Sequence, residues 1–306
     1  MGRTEGEAME TGREDLEALA RTLEASGAYR VLRRLEPRAP TPVPDGERVR
    51  LGLFVDVETT GLDHRQDEII ELAMIPFRYG ETGTLFEVLE PFHAYRQPSR
   101  PIPPEITVLT GIDDDVVAGK VIDSDVVDAF AAPAALVVAH NATFDRRFLE
   151  RLSPVFSTKP WACSMRQVDW ASEGFEGVKL AYLAASAGFF YDRHRATNDC
   201  LAALELLARP LPRSGVTGLA SLLDQARRPS WRLSAEGAAF AMKDRLKARG
   251  YRWSGEEGVP PRCWYVDVSD ADLVEEQRFL ATEVYAGDQA PLVRRIDAFD
   301  RFSDRL

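Results

Sequence analysis

Residues 51–62 read Leu-Gly-Leu-Phe-Val-Asp-Val-Glu-Thr-Thr-Gly-Leu. An apolar run that ends in alternating acids reads as a strand, because residues two apart on a strand share a face. Val55 and Val57 then point to one face, and Asp56 and Glu58 lie side by side on the other. Two neighbouring carboxylates repel, so they persist as anions only when solvated or bound to a cation, and otherwise take up a proton. Thr59-Thr60-Gly61-Leu62 reads as a turn out of the strand. The pair is a metal-binding strand end if the rest of the chain supplies further ligands, and a solvated edge pair if it does not.

Working outward, residues 51–57 are a buried strand, and residues 68–79 and 84–95 are two more. Pro76 marks a bulge or a position that donates no ladder hydrogen bond. Pro101-Ile102-Pro103-Pro104 starts a short helix ending near Gly111, and residues 126–132 form another. Leu136-Val137-Val138-Ala139 is a wholly apolar strand of the buried parallel kind. Helices are expected at 142–152, 179–187 and 196–208, with a short strand near Trp161–Ser164. Strands followed by alternating strands and helices indicate an α/β domain with a mixed sheet over residues 49–210.

Ahead of it, residues 14–35 carry leucines at helical spacing, with a break at Ser26-Gly27. Pro37, Pro40, Pro42 and Pro44 then make a stiff linker, so residues 1–48 are a helix and a linker. Tyr29 to Arg34 is a basic amphipathic turn, suited to docking with a solvated basic face or to phosphate. Residues 211–230 hold a connecting helix at 216–227. Residues 231–306 read strand (231–235), helix (237–249), strand (251–254), strand (262–268), helix (270–286), strand (291–297). That βαββαβ order is the order of a ferredoxin-like sandwich, a small C-terminal α+β module.

Hydrophobic residues at 45% and charged residues at 28% fit a soluble globular chain. The longest near-apolar run, Phe130 to Ala139, is too short to span a bilayer and contains Pro133, and the polar N-terminus carries no secretory signal. No membrane partner is expected. Cys163, Cys200 and Cys263 are far apart and odd in number, which reads as buried reduced thiols in the cytoplasm. The net charge of −11 argues against a long electrostatic groove for nucleic acid. Residues 1–48 and 231–306 each carry −2 of it, so −7 falls on the central segment, where a cation site needs its carboxylates.

Two further acids sit where ligands are needed. His140-Asn141-Ala142-Thr143-Phe144-Asp145 directly follows the strand 136–139, and functional sites of α/β sheets lie at the carboxyl ends of strands. Asn141 is a good N-cap, and Asp145 falls in the first turn, where an acid also complements the helix dipole. His194-Arg195-Ala196-Thr197-Asn198-Asp199 opens the helix 196–208, with His194 on the loop. Of the other histidines, His64 and His93 lie in polar contexts and are expected at the surface. Asp56, Glu58, Asp145 and Asp199 together supply four carboxylates, the oxygen donors of Mg²⁺ or Mn²⁺, and four negative charges balance two such ions. No cysteine or histidine cluster accompanies them, which disfavours zinc.

Phe54-Val55-Asp56-Val57-Glu58-Thr59-Thr60-Gly61-Leu62, His140 to Asp145 and His194 to Asp199 resemble, in order, the three motifs of the DEDDh 3′–5′ exonucleases. These DnaQ-like enzymes include the proofreading subunit of the bacterial replicative polymerase. Pro103-Glu105, Leu109-Thr110-Gly111-Ile112, Lys179-Leu180 and Tyr182-Leu183 look like the family's connecting segments, and the resemblance spans roughly residues 50–208. It implies a ribonuclease H-like fold with a mixed five-stranded sheet and flanking helices. It also implies metal-dependent release of nucleoside 5′-monophosphates from a single-stranded 3′ end. Asp56, Glu58, Asp145 and Asp199 match the metal ligands, Asp56 as the bridge, and His194 matches the general base. Leu62 matches a wedge against the terminal base, Thr59 and Thr60 match contacts to the terminal nucleotide, and His140 and Asn141 are further substrate contacts. For Leu62, Thr59 and Thr60 turn chemistry is the competing reading, and for Asn141 helix capping is the favoured role.

DNA is the favoured substrate. An exoribonuclease of the same chemistry, resembling oligoribonuclease or ribonuclease T, and a polymerase-associated nucleic-acid-binding subunit are the alternatives, and a polymerase or repair partner is compatible with each. Lys243 to Trp253 carries five basic residues and one acid, with Trp264-Tyr265 beyond. Such a stretch can hold a single strand by phosphate contacts and stacking, or fill a small core and solvate a helix face, which is the favoured reading.

Overall fold

The computed structural model describes residues 5–254, 262–285, 287 and 290–306. Its main sheet is built from β1 (Val49–Thr59), β2 (Ile69–Gly80), β3 (Leu85–Val88), β4 (Phe92–Tyr95), β5 (Leu136–Ala139) and β6 (Trp161–Cys163). The strand order is β3-β2-β1-β5-β6, with β4 also pairing β2. β2 runs antiparallel to β1, β3 and β4, while β5 and β6 run parallel to β1. This is the mixed α/β sheet expected from the sequence. The single strand expected over 84–95 is broken in two at Leu89-Glu90-Pro91, and Leu89 N–H donates to Pro76 O across the gap. The missing N–H of Pro76 thus coincides with the interruption in its neighbour.

Alternation along β1 and β2 divides the apolar side chains between two cores. Phe54, Ala73, Ile75 and Phe77 face one, and Leu53, Val55, Val57, Leu72 and Met74 face the other. The helix α1 (Ala142–Leu152) packs Phe148 and Leu149 into the second core. The helix α2 (Ala196–Ala208) buries Cys200, Leu204 and Leu207 in the first. Each such side chain contributes about 1.5–3 kcal/mol on leaving water. The segment expected as a connector forms α3 (Gly218–Arg227), capped by the Thr217 hydroxyl, and buries Leu219, Leu222 and Leu223 in the first core as well.

The N-terminal helix spans Glu5–Ala25 and stops at Ser26-Gly27, where Gly27 takes φ 71°. The break expected at Ser26-Gly27 is thus where the helix ends, and Val31 to Leu35, despite its helical spacing, is not helical. Arg33–Arg34 instead pairs in parallel with Phe189–Phe190. The basic turn is used for anchoring: Arg30 donates to Ala185 O and Ser186 O, Arg33 pairs with Glu17 and Glu24, and Arg34 pairs with Asp192.

Residues 230–296 form a second sheet of four antiparallel strands: β7 (Ser230–Ala235), β8 (Arg252–Trp253), β9 (Trp264–Ser269) and β10 (Leu292–Ile296), in the order β8-β9-β7-β10. Helical segments Phe240–Met242 with Lys243–Ala248, and Leu273–Phe279 continuing to Val284, connect the strands; residue 286, the expected end of the latter helix, lies outside the described residues. Leu233, Leu246, Tyr251, Phe279 and Leu280 make its core. The cations of the basic stretch are largely matched by acids: Arg245 by Glu283, Arg249 by Glu275 and Glu276, and Arg252 by Asp267. All three cysteines are buried and free. Among the described residues no helix is long and apolar enough to cross a membrane.

Candidate active site

β1 delivers Asp56 and Glu58 to the face on which α2 packs, because they alternate with Val55 and Val57, which are buried on the other. The first turn of α2 carries Asp199 to the same place. One carboxylate oxygen from each of Asp56, Glu58 and Asp199 lies within 4.8 Å of the others. Asp145 stands next to this trio: it is 2% exposed, in the first turn of α1, and its Oδ1 accepts the Val57 N–H at 3.3 Å. Three of the four acids expected as ligands converge directly, and the fourth is tied to the backbone between the first two.

Burial and mutual repulsion dominate the electrostatics. The Asp56 carboxyl is driven well above the carboxylate range by burial, then by the charges of Asp145, Asp199, Glu58 and Glu71. Glu58 is pushed up to about 8 by burial, then by Asp199, Glu71 and Asp145, with Arg195 opposing. Asp145 rises to about 7, mainly through burial. Asp199 is also raised by burial, against the hydrogen bond from Tyr191 OH at 2.8 Å and the nearby His194. An all-oxygen cluster with this much uncompensated charge fits a hard divalent cation, which binds the deprotonated carboxylates and releases their protons.

His194 precedes α2 with φ 59°, a left-handed backbone rare outside glycine. Two acceptors hold the chain there. Arg195 N–H donates to Asp199 Oδ2 at 3.2 Å, and Ala196 N–H donates to Glu71 Oε2 at 3.2 Å. Glu71 is a fifth acid that the sequence reading did not single out. It is 1% exposed, faces Glu58 across the β1–β2 ladder, and its other oxygen lies 2.7 Å from His93 Nε2. A negative group at the start of α2 also complements the helix dipole. The signal was present: Glu71 is the one charged residue within Ile69 to Ile75. Tyr191 was missed too, with no signal to mark it.

The expected substrate contacts divide. Leu62 is 85% exposed at the tip of the turn after β1. The Thr59 hydroxyl donates to Gly61 O, and Thr60 Oγ1 donates to Asp67 Oδ1 while accepting from Glu68 N–H, so both serve the turn. A Cβ on Gly61 would lie 2.5 Å from Asp67 Oδ2, so a side chain there would displace the Asp67 carboxylate from Thr60 and the Asp63 N–H. His140 donates from Nε2 to Val178 O at 2.8 Å and accepts from the Ser164 hydroxyl at Nδ1, and burial lowers its pKa to about 4. A neutral ring with both nitrogens engaged is a strut. Asn141 occupies the N-cap position of α1 but makes no side-chain cap hydrogen bond, and its side chain is exposed. Of the two histidines expected at the surface, His93 is exposed there, although bonded to Glu71, whereas His64 is 9% exposed and lies 2.7 Å from Asp304.

The exonuclease family model RNase_T matches residues 53–207, half of the chain and all of the acids above. The chain belongs to the DnaQ-like exonuclease family. It is 30% identical over 161 residues to the DNA polymerase III subunit epsilon of Treponema pallidum, covering 72% of that protein and 49% of this one. It is 28% identical over 191 residues to the PolC-type DNA polymerase III of Caldanaerobacter subterraneus subsp. tengcongensis, covering 60% of this chain and 13% of that one. Over 96 residues it is 41% identical to the PolC-type enzyme of Bacillus subtilis. The chain thus spans only a small part of the PolC-type relatives. Among solved structures it is similar to exonuclease X in complex with 5′ overhanging duplex DNA, with 27% identity, TM-score 0.42, and coverage of 56% of this chain and 98% of that one. It is also similar to Escherichia coli exonuclease I in complex with a dA16 oligonucleotide, with 17% identity, TM-score 0.47, and coverage of 76% and 68%. DnaQ-like exonucleases of this DEDD type are generally metal-dependent, and the Asp56, Glu58 and Asp199 cluster is present in this one.

Proposed function

We propose that this chain is a metal-dependent 3′–5′ exonuclease that hydrolyses single-stranded DNA to nucleoside 5′-monophosphates. The observation that carries the reading is the convergence of Asp56, Glu58 and Asp199, with Asp145 bonded to the Val57 N–H and His194 on the loop that leads into α2. The four carboxylates would hold two Mg²⁺ or Mn²⁺ ions. When bound, such ions lower the pKa of water and neutralise charge on the phosphodiester. The His194 imidazole takes the proton of the attacking water. Asp199 and Glu71 hold the loop that carries it, and Tyr191 orients Asp199. The exposed Leu62 would meet the terminal base.

DNA is preferred over RNA because the relatives are DNA polymerase chains. Such a partner polymerase, and a cytoplasmic setting suited to three reduced thiols, belong to the same reading. The fold reading is a ribonuclease H-like nuclease domain over 49–210 joined to a ferredoxin-like module over 231–306, consistent with the βαββαβ element order and the strand order of the second sheet. The test is degradation of labelled single-stranded DNA and RNA by wild type, Asp56→Ala and His194→Ala, in Mg²⁺, Mn²⁺ or EDTA. DNA loss that requires metal and both residues is expected. Intact DNA with both metals defeats the reading.

A further inference from the structure

The last ten residues leave β10 and run back over the nuclease sheet. Ala298 O accepts the Trp161 N–H at 2.8 Å, on the free edge of β6. Arg146, fully buried in α1 and adjacent to Asp145, donates to Arg301 O at 2.6 Å and to Phe299 O at 2.7 Å, and its Nε donates to Glu150. Phe302 packs on the second core. Asp304 then sits between two groups of the nuclease: His64 Nε2 at 2.7 Å and Arg147 Nε at 2.8 Å. His64 belongs to the turn 60–67 that leaves the carboxylate strand, and its ring meets the edge of Phe148 on α1, with centroids 6.3 Å apart.

The turn has its own hydrogen bonds at its base, where Thr60, Asp63 and Asp67 are interlocked. Further along, His64 fastens it to Phe148 and Asp304, two positions from the exposed Leu62, and Gln66 O accepts from Arg100 at 3.0 Å. The turn follows directly on β1, the strand that carries Asp56 and Glu58. We propose that Asp304, delivered by the C-terminal tail, is a positioning residue for substrate binding: through His64 it holds the turn that carries Leu62 beside the metal cluster. The C-terminal segment thus supplies part of the nuclease site, although the family match ends at residue 207. The inference rests on the exonuclease reading above.

The test compares Asp304→Ala, His64→Ala, the double variant and His64→Gln with wild type, in Mn²⁺, on two substrates. One is a 5′-labelled single-stranded oligothymidylate, and the other is bis(p-nitrophenyl) phosphate, which has no base to meet the turn. Each alanine variant should raise KM for the oligonucleotide about fivefold, as expected for loss of one partly exposed charge-assisted hydrogen bond. The double variant should be no worse than either single variant. His64→Gln, whose amide can still donate to Asp304, should stay near wild type. Hydrolysis of bis(p-nitrophenyl) phosphate should be unchanged in all four. Unchanged KM in both alanine variants overturns the proposal, as does a parallel fall on both substrates, which would place the effect at the metal cluster or the whole fold. If wild type hydrolyses the diester but leaves the oligonucleotide intact, the exonuclease reading itself fails and this inference falls with it.

Discussion

Asp56→Asn examines the electrostatics of the cluster before any substrate is present. In the metal-free chain Asp56 is driven far up by burial and four neighbouring acids, and Glu58 is pushed up to about 8 from 4.5. A carboxyl with a folded pKa above its unfolded one keeps a proton in the folded state that the unfolded chain has lost. Its contribution to stability is therefore best below about pH 4.5, declines as pH rises towards about 8, and is flat beyond, with a slope of about 1.4 kcal/mol per pH unit for each extra proton. On that scale Glu58 alone would cost about 5 kcal/mol to ionise in the fold, and about 2–3 kcal/mol after allowing for the water that reaches a half-buried group. Asp56→Asn removes a carboxyl that must take up a proton as the chain folds above about pH 4. The metal-free variant should be more stable than wild type at about pH 8 by roughly 1–2 kcal/mol, with the difference shrinking towards about pH 5. Urea unfolding in EDTA across that range measures it. Added Mn²⁺ should stabilise wild type and leave the variant little changed. A variant less stable than wild type at about pH 8, or a difference that grows as pH falls, would refute the electrostatic account.

His194→Ala should lower turnover by about 10²–10⁴-fold, the range of a general base, without lowering the melting temperature; a drop confined to KM would contradict its role. Glu71→Ala strands the Ala196 N–H and His93, so it should reduce turnover more than Glu71→Gln, which keeps an acceptor; steady-state rates of the two variants, taken with their melting curves, decide. Ending the chain at residue 230 removes the acceptors of Trp161 and Arg146 and takes Phe302 off the core, so the truncated chain should melt several degrees lower or fail to fold. Thermal melts of the two chains side by side check this.

Local patterns were read accurately where local physics decides. β5 and the helices α1 and α2 match the expected boundaries to the residue, because a wholly apolar run and two clean helix starts leave little choice. The acids at their ends could be found from position alone. What failed depended on distant partners. The N-terminal helix ends at the Ser26-Gly27 break, but the helical spacing beyond it misleads, because Arg33–Arg34 finds a strand partner at Phe189–Phe190, a contact that periodicity cannot reveal. His64 looks like a surface residue until Asp304 is brought to it. Asn141 looked like a capping side chain, but the helix start is held by its carbonyl, which accepts the Phe144 N–H at 2.7 Å. Glu71 was legible as the lone charge in an apolar strand, while its role at the start of α2 was not.

The central claim is that the Asp56, Glu58, Asp145 and Asp199 cluster removes nucleotides from a 3′ end with a divalent ion. A 5′-labelled single-stranded DNA, followed over time in Mg²⁺ on a sequencing gel, tests it most directly. The account predicts a ladder of labelled strands shortening one nucleotide at a time, absent in EDTA and absent with Asp56→Ala. Early release of the labelled 5′ nucleotide, internal cuts, or a ladder that persists in EDTA would contradict it.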